Sequence, residues 1–537
     1  MKTCLYNGQI RPLTTEDALF DAILIEDGRI LSLGHGKDLV PVADQAYNLE
    51  GKTLLPGFND SHMHLLGFGA ALKALQLEGV QSISQLRDKV TEALVTLAPG
   101  QWLTGRGWNQ DYFDQPVLPT IKDLDDITGK TPTVLRRACG HILVCNSAAM
   151  AAAGITNQTL TPSGGTIDRF EDGSLSGIFR ENAMDLVLGA IPDPSLTEMQ
   201  SAIEAGCDYL LEHGVTSCQS DDLCVYPLEM TASILKAFTD MADQGRLKVR
   251  VNEQALYRTH ENFLAGITAG WKTGKGDAWF KMGPLKILGD GSLGARTAWL
   301  TQPYADDPST TGISMYTDDQ IKQLARTAGE NGFSLAIHGI GDAMIDQALT
   351  AIEVAQSAQG DQDLRHSIVH CQITRPDQLD RMKSMKVLAH IQPIFLHYDL
   401  HMATDRLGPE RVASTYAFGT MKQMGIPIAM GTDAPVERPD TIPNLHCAVT
   451  RRDLAGQPPG GWLPQEALSM FDALRAMTID GAWASGEEDL KGLLTPGHFA
   501  DFVVLSHDPL TQPLDQVLDI QVLETWVDGK QAYKKAY

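Results

Sequence analysis

Three scarcities narrow the possibilities for this chain. It contains no run of about eighteen apolar residues, which excludes a helix that spans a membrane. Its eight cysteines form no CxxC pair and no dense framework, so a disulfide scaffold or a cysteine-built zinc module is excluded. Scattered cysteines of this kind point to free thiols in a reducing cytosol. Positive charge is the third scarcity. Lys and Arg number 43 against 67 Asp and Glu, a net charge of −24. That balance argues against nucleic acid or an anionic membrane as partner, and the acidity serves solubility. The first residues, Met1 to Gly8, lack the apolar core of a secretory leader, which again predicts a cytoplasmic protein. No internal repeat or low-complexity tract is present.

What is present is ordinary globular material in quantity. At 537 residues and 43% hydrophobic content, the chain can bury a large core and should form one large domain plus a smaller one. Residues 1–55 read as hairpins: Ala22 to Glu26 and Arg29 to Leu33 flank Asp27-Gly28, a strong two-residue turn signal. Residues 486–537 read the same way, with Asp501 to Ser506 and then Leu523 to Val527 before Asp528-Gly529. Neither end is large enough to stand alone, so both are expected to meet in one small β-sandwich.

The middle, residues 56–485, alternates short apolar runs with helical spacing, the pattern of a parallel α/β architecture. The clearest buried strands are Val215 to Cys218, Ser334 to His338, Ser367 to His370, Val387 to His390 and Ile426 to Met430. Four of these five end in, or lead to, a polar or titratable residue. In a (β/α)8 TIM barrel, such positions at the C-terminal strand ends build the active site. A typical barrel needs about 250 residues, fewer than this middle holds, so an insertion is required. It is placed at about residues 65–194, after the first barrel strand, as a lobe that could cover the barrel mouth.

The chemistry begins at Leu54-Leu55-Pro56-Gly57-Phe58-Asn59-Asp60-Ser61-His62-Met63-His64. In a strand, residues i and i+2 share a face, so His62 and His64 can share a metal ion. Alone the pair carries little, because 15 histidines in this length produce about 0.4 such pairs by chance. Further candidates then follow in chain order at strand ends: Lys286, His338, His370 and Asp433. Singly, each reads as a packed, capping or surface residue. Together, four imidazoles and a carboxylate from four strand ends form the donor set a divalent ion such as zinc requires.

These motifs resemble the amidohydrolase superfamily, and within it the YtcJ-like branch (amidohydrolase family 3) that includes N-substituted formamide deformylases. The carrying segments are Pro56 to His64, Lys286 through Gly291-Ser292-Leu293-Gly294-Ala295-Arg296-Thr297-Ala298, and His338-Gly339-Ile340-Gly341-Asp342. His370-Cys371-Gln372, Gly431-Thr432-Asp433-Ala434-Pro435-Val436 and Lys491 to Asp501 complete them. The resemblance implies a barrel with one or two divalent ions, zinc for preference, at its C-terminal face. His62 and His64 would bind the more buried ion, and His338 and His370 the other. Lys286 would bridge a binuclear centre as N6-carboxylysine, since an ammonium cannot ligate a cation; Lys281 is a less well-placed substitute. Asp433 would bind metal and carry the proton.

The implied reaction is hydrolysis of a C–N bond in an amide-like or formamide-like small molecule. Such barrels often pair, which leaves a homodimer open. His141, Arg296, Trp108 and Asp111 are second candidates for substrate contact, set against hydrogen bonding, ion pairing or packing within their own loops. His390 reads as a core histidine with its hydrogen bonds met. A metal-assisted isomerase or lyase is the alternative on the same barrel. A non-catalytic binding protein is disfavoured, because Asp433 and both histidine pairs are intact.

Overall fold

Eight parallel strands, in sequential order, form the centre of the protein. They are β1 (Phe58–Met63), β2 (Val215–Ser220), β3 (Arg250–Leu256), β4 (Phe280–Leu288), β5 (Leu335–Gly339), β6 (Ser367–His370), β7 (Leu388–Ile391) and β8 (Ile428–Met430). The computed structural model describes residues 1–98, 100–257 and 259–536. Most of these strands read as continuous apolar runs because helices cover one face and the barrel interior the other. Leu335-Ala336-Ile337 and Ile428-Ala429-Met430 are buried throughout. The first three strands depart from this: β1 carries buried Asn59, Asp60 and Ser61, β2 buried Thr216, Ser217 and Gln219, and β3 buried Asn252, Glu253 and Gln254.

The helix after β5, Asp342–Ala358, shows the covering logic. Met344, Ile345, Ala348, Leu349, Ile352 and Ala355 form its buried face, at the spacing of an amphipathic helix. The barrel closes where the last strand returns to the first, with Asp433 N–H donating to His62 O at 2.8 Å.

Both chain ends enter a second, eight-stranded sheet. Its path runs Lys530–Lys534, Val522–Val527, Phe502–Leu505, Thr53–Pro56, Lys2–Ile10, Phe20–Glu26 and Arg29–Gly34, with Gln45–Asn48 on Lys2–Ile10. Both turn signals form tight hairpins: Asp27 and Gly28 have φ of 49° and 74°, and Asp528 and Gly529 have 54° and 70°. Ile10, Ile23, Leu54, Phe502, Val504 and Trp526 build the core. Thr53–Pro56 hands the chain directly to β1 through Gly57, where a Cβ would fall 2.2 Å from Thr216 Oγ1. Arg250, at the start of β3, forks onto Asp501 of the C-terminal segment at 2.6 and 3.1 Å, both side chains fully buried.

Residues 1–68 and 203–537 make up one compact unit and residues 69–202 another. The second unit has its own six-stranded sheet. Trp108, Leu135, Val144 and Ile178 lie in one of its apolar clusters, and Val134, Leu143 and Phe179 in another.

Candidate metal centre

At the C-terminal end of β1, alternation puts His62 and His64 on one face. Nδ1 of His62 lies 2.7 Å from Gln254 Oε1, so this nitrogen carries the proton and donates. Its Nε2 is left with a lone pair, 3.1 Å from Lys286 Nζ and 3.4 Å from Asp433 Oδ1. His64 is held by backbone, its Nδ1 donating to Asp221 O at 2.5 Å while Nε2 lies 3.1 Å from Asp433 Oδ1.

His370 and Asp433 reach the same place by unusual backbone. His370 has φ 76° and Asp433 φ 58°, left-handed conformations that few non-glycine residues adopt. Such conformations cluster at functional sites. Nδ1 of His370 donates to Gln392 Oε1 at 2.8 Å, and its ring stacks on Phe395. The result is that donor atoms of His62, His370 and Asp433 all lie within 4.8 Å of one another. The His338 ring stands edge-on to His370, with centroids 4.4 Å apart. Its Nε2 faces Gly291 O at 3.1 Å and Asp290 Oδ1 at 3.3 Å.

The electrostatics follow from burial and charge. Burial, reinforced by the Lys286 charge, pushes His62 down to about 4, so it is neutral at pH 7. Burial and the neighbouring His338 hold His370 well below its ordinary value. For His64, burial also acts downward, but the Asp433 hydrogen bond and the Asp221 and Asp433 charges outweigh it and raise the ring to about 9. Burial alone would raise Asp433, yet the adjacent imidazoles of His62, His64 and His370 hold it well below the usual carboxylate range.

This donor set fits a divalent ion. His62 Nε2 and Asp433 Oδ1 face each other at 3.4 Å, and both are acceptors once the imidazole is neutral. Lys286 Nζ at 3.1 Å from that Nε2 and His64 Nε2 at 3.1 Å from that oxygen meet the two acceptors, places a bound cation would take over. One oxygen of buried Asp221 also has no hydrogen-bond partner among the described residues. Lys286, fully buried as an ammonium, pairs instead with the other oxygen of Asp221 at 3.1 Å.

Comparison with known proteins settles the family. Residues 45–533 match the amidohydrolase family. The chain belongs to it. YtcJ of Bacillus subtilis is 32% identical over the full length of both chains. N-substituted formamide deformylase of Arthrobacter pascens is 25% identical, over 99% of this chain and 98% of that protein. The crystal structure of an uncharacterized metal-dependent hydrolase from Pyrococcus furiosus is similar with TM-score 0.78 and 29% identity. That similarity covers 95% of this chain and 100% of that one. This amidohydrolase is therefore a metal-dependent hydrolase built on a TIM barrel.

The remaining candidates of this amidohydrolase are each engaged locally. Arg296 places its fork on Asp306 at 3.1 and 2.8 Å. In the second unit, Trp108 is fully buried and its indole N–H donates to Leu135 O at 3.0 Å. Asp111 pairs with Arg137 at 2.7 Å, and exposed His141 with Glu181 at 2.9 Å. Lys281 is bound to Glu487 at 2.8 Å, at the opposite end of β4 from Lys286. His390 corrects its expectation: it is buried, but its Nδ1 has no partner among the described residues. Burial, with His62 and Lys286 nearby, pushes it down to about 3, so it neighbours the centre with its Nδ1 unsatisfied.

Asp221, Gln254, Asp290 and Gln392 contact the centre and were not legible as site residues. Asp290 is fully buried and accepts from Ile340, Gly341 and Trp299 N–H groups while facing His338. The one available signal for it was the Gly289-Asp290-Gly291 sequence beside Lys286.

Proposed function

We propose that this amidohydrolase hydrolyses the C–N bond of an amide- or formamide-type small molecule. The observation that carries the reading is the Asp433 carboxylate. It is kept unprotonated, lies 3.1 and 3.4 Å from the Nε2 atoms of His64 and His62, and belongs to the cluster that includes His370. Full-length similarity to an N-substituted formamide deformylase supports the substrate class.

His62, His370 and Asp433 would hold a divalent ion, with His64 and His338 beside them. Imidazole-rich, carboxylate-completed sites favour zinc. Such an ion, one or two per chain, supplies a more acidic water and a polarised substrate carbonyl. Asp433 orients the attacking water, takes its proton and delivers it to the leaving nitrogen, the work of a positioned general acid–base. His64, anchored by the Asp221 carbonyl, holds the Asp433 carboxylate in place. Lys286 serves a two-ion centre only after its neutral amine adds carbon dioxide to become a carbamate, releasing a proton and giving up the Asp221 ion pair. Among the described residues the cysteines form no disulfide, which suits a reducing cytosol.

The test is turnover of a panel of N-substituted formamides and N-acyl amines by zinc-loaded protein. Release of an amine together with a carboxylate is expected. A product of unchanged mass would establish an isomerase and overturn the reading.

A further inference from the structure

Two glutamines hold this centre in matching ways. Gln254 Oε1 accepts from His62 Nδ1 at 2.7 Å, and Gln392 Oε1 accepts from His370 Nδ1 at 2.8 Å. Each amide is also fixed at its other end. Gln254 Nε2 donates to Ser61 O at 3.1 Å, and Gln392 Nε2 donates to His390 O at 3.1 Å. Turning either amide over would set its oxygen against a carbonyl and its NH2 against the imidazole, so orientation follows from the hydrogen bonds.

Both side chains are buried, Gln254 at 0% and Gln392 at 2% exposure, where an amide costs stability unless every polar atom is met. They come from unrelated places in the barrel. Gln254, on β3, reaches past β2 to β1, while Gln392 lies just beyond β7 and supports the neighbouring β6. A neutral acceptor fixes the tautomer without adding charge beside Asp221 and Asp433. His64 is held by a backbone carbonyl instead, so it does not depend on either glutamine.

We propose that Gln254 and Gln392 are positioning residues which lock His62 and His370 in the tautomer that presents Nε2, and thereby set the affinity of the centre for its divalent ion. The inference rests on the reading of His62 and His370 as metal ligands. Groups that orient ligating histidines through the second ring nitrogen typically contribute 10- to 100-fold in metal affinity.

The experiment measures zinc affinity of the full chain by competition with a chromogenic chelator, and the visible absorption of the cobalt form. The wild type, Gln254→Leu, Gln392→Leu, Gln254→Glu and Gln392→Glu are compared. Each Leu variant is expected to bind zinc about 10- to 100-fold more weakly and to shift the cobalt spectrum. The melting temperature of its metal-free form should stay near the wild-type value. Each Glu variant keeps an acceptor for the Nδ1 proton and is expected to restore affinity to within about tenfold. Where a Leu variant does not fold, Gln→Met, of similar length and without an acceptor, takes its place. Leu or Met variants that bind zinc as the wild type does would overturn the proposal. So would Glu variants as weak as the Leu variants. A folded wild type that binds no divalent ion would instead refute the metal-centre reading itself, before any variant is compared.

Discussion

The backbone N–H of Asp433 donates to the carbonyl oxygen of His62 at 2.8 Å, while the Asp433 carboxylate lies 3.4 Å from Nε2 of the same histidine. One residue thus both joins the last strand to the first and faces the first of the proposed metal ligands. The left-handed φ of 58° at Asp433 is what allows its backbone and side chain to serve the two roles together.

Asp433→Asn keeps the shape and the backbone hydrogen bond but removes the proton acceptor. Turnover is expected to vanish while metal remains largely bound, measured as kcat beside metal content of the same preparation. Activity within about tenfold of wild type, or about 1.4 kcal/mol of barrel-site activation energy, would refute Asp433 as the proton carrier.

Arg250 and Asp501 form a buried bidentate pair between β3 and the C-terminal segment, with the guanidinium also stacked 3.7 Å from the Phe499 ring centre. Arg250→Met leaves the Asp501 charge buried without its partner. A loss of about 3–5 kcal/mol in urea unfolding is expected, because a broken buried pair strands an uncompensated charge. A change no larger than that of an ordinary surface substitution, about 0.5 kcal/mol, would contradict this.

Much of the barrel could be read from apolar runs, because strands covered on both faces are apolar along their length. β3 escaped notice for the opposite reason. Its buried Asn252-Glu253-Gln254 run looks like a solvated loop, and Gln254 went with it. His62 and His64 were legible through their two-residue spacing, whereas the part played by Gln392 depends on which strand lies beside it. The left-handed backbone at His370 and Asp433 left no trace in residue type, since neither is glycine. Trp108 could be read from its loop either as a substrate contact or as packing within its own lobe, and its indole N–H is satisfied within its own sheet.

Glu487 offers a pH test away from the metal. Burial acts to raise its carboxyl, but Lys491 and Lys281, each at 2.8 Å, hold it down at about 2 from an ordinary 4.5. A depressed carboxyl stabilises the folded chain above its unfolded value and loses that contribution as pH falls through the folded one. The stability gap between wild type and Glu487→Gln is therefore expected to be full above about pH 5 and to shrink between about pH 4.5 and 2. At neutral pH it should be on the order of 3 kcal/mol. Denaturant unfolding across that range is the measurement, and a gap that does not change with pH would refute the assignment.

The central claim is that His62, His370 and Asp433 bind a divalent ion. Metal analysis of the purified chain, run beside His370→Asn prepared identically and paired with gentle intact-mass measurement, tests it most directly. The account predicts one or two divalent ions per wild-type chain and a clear loss in the variant. A second ion should be accompanied by the added mass of one carbon dioxide on Lys286. A folded wild-type chain that hydrolyses its substrate without any bound metal would contradict the account.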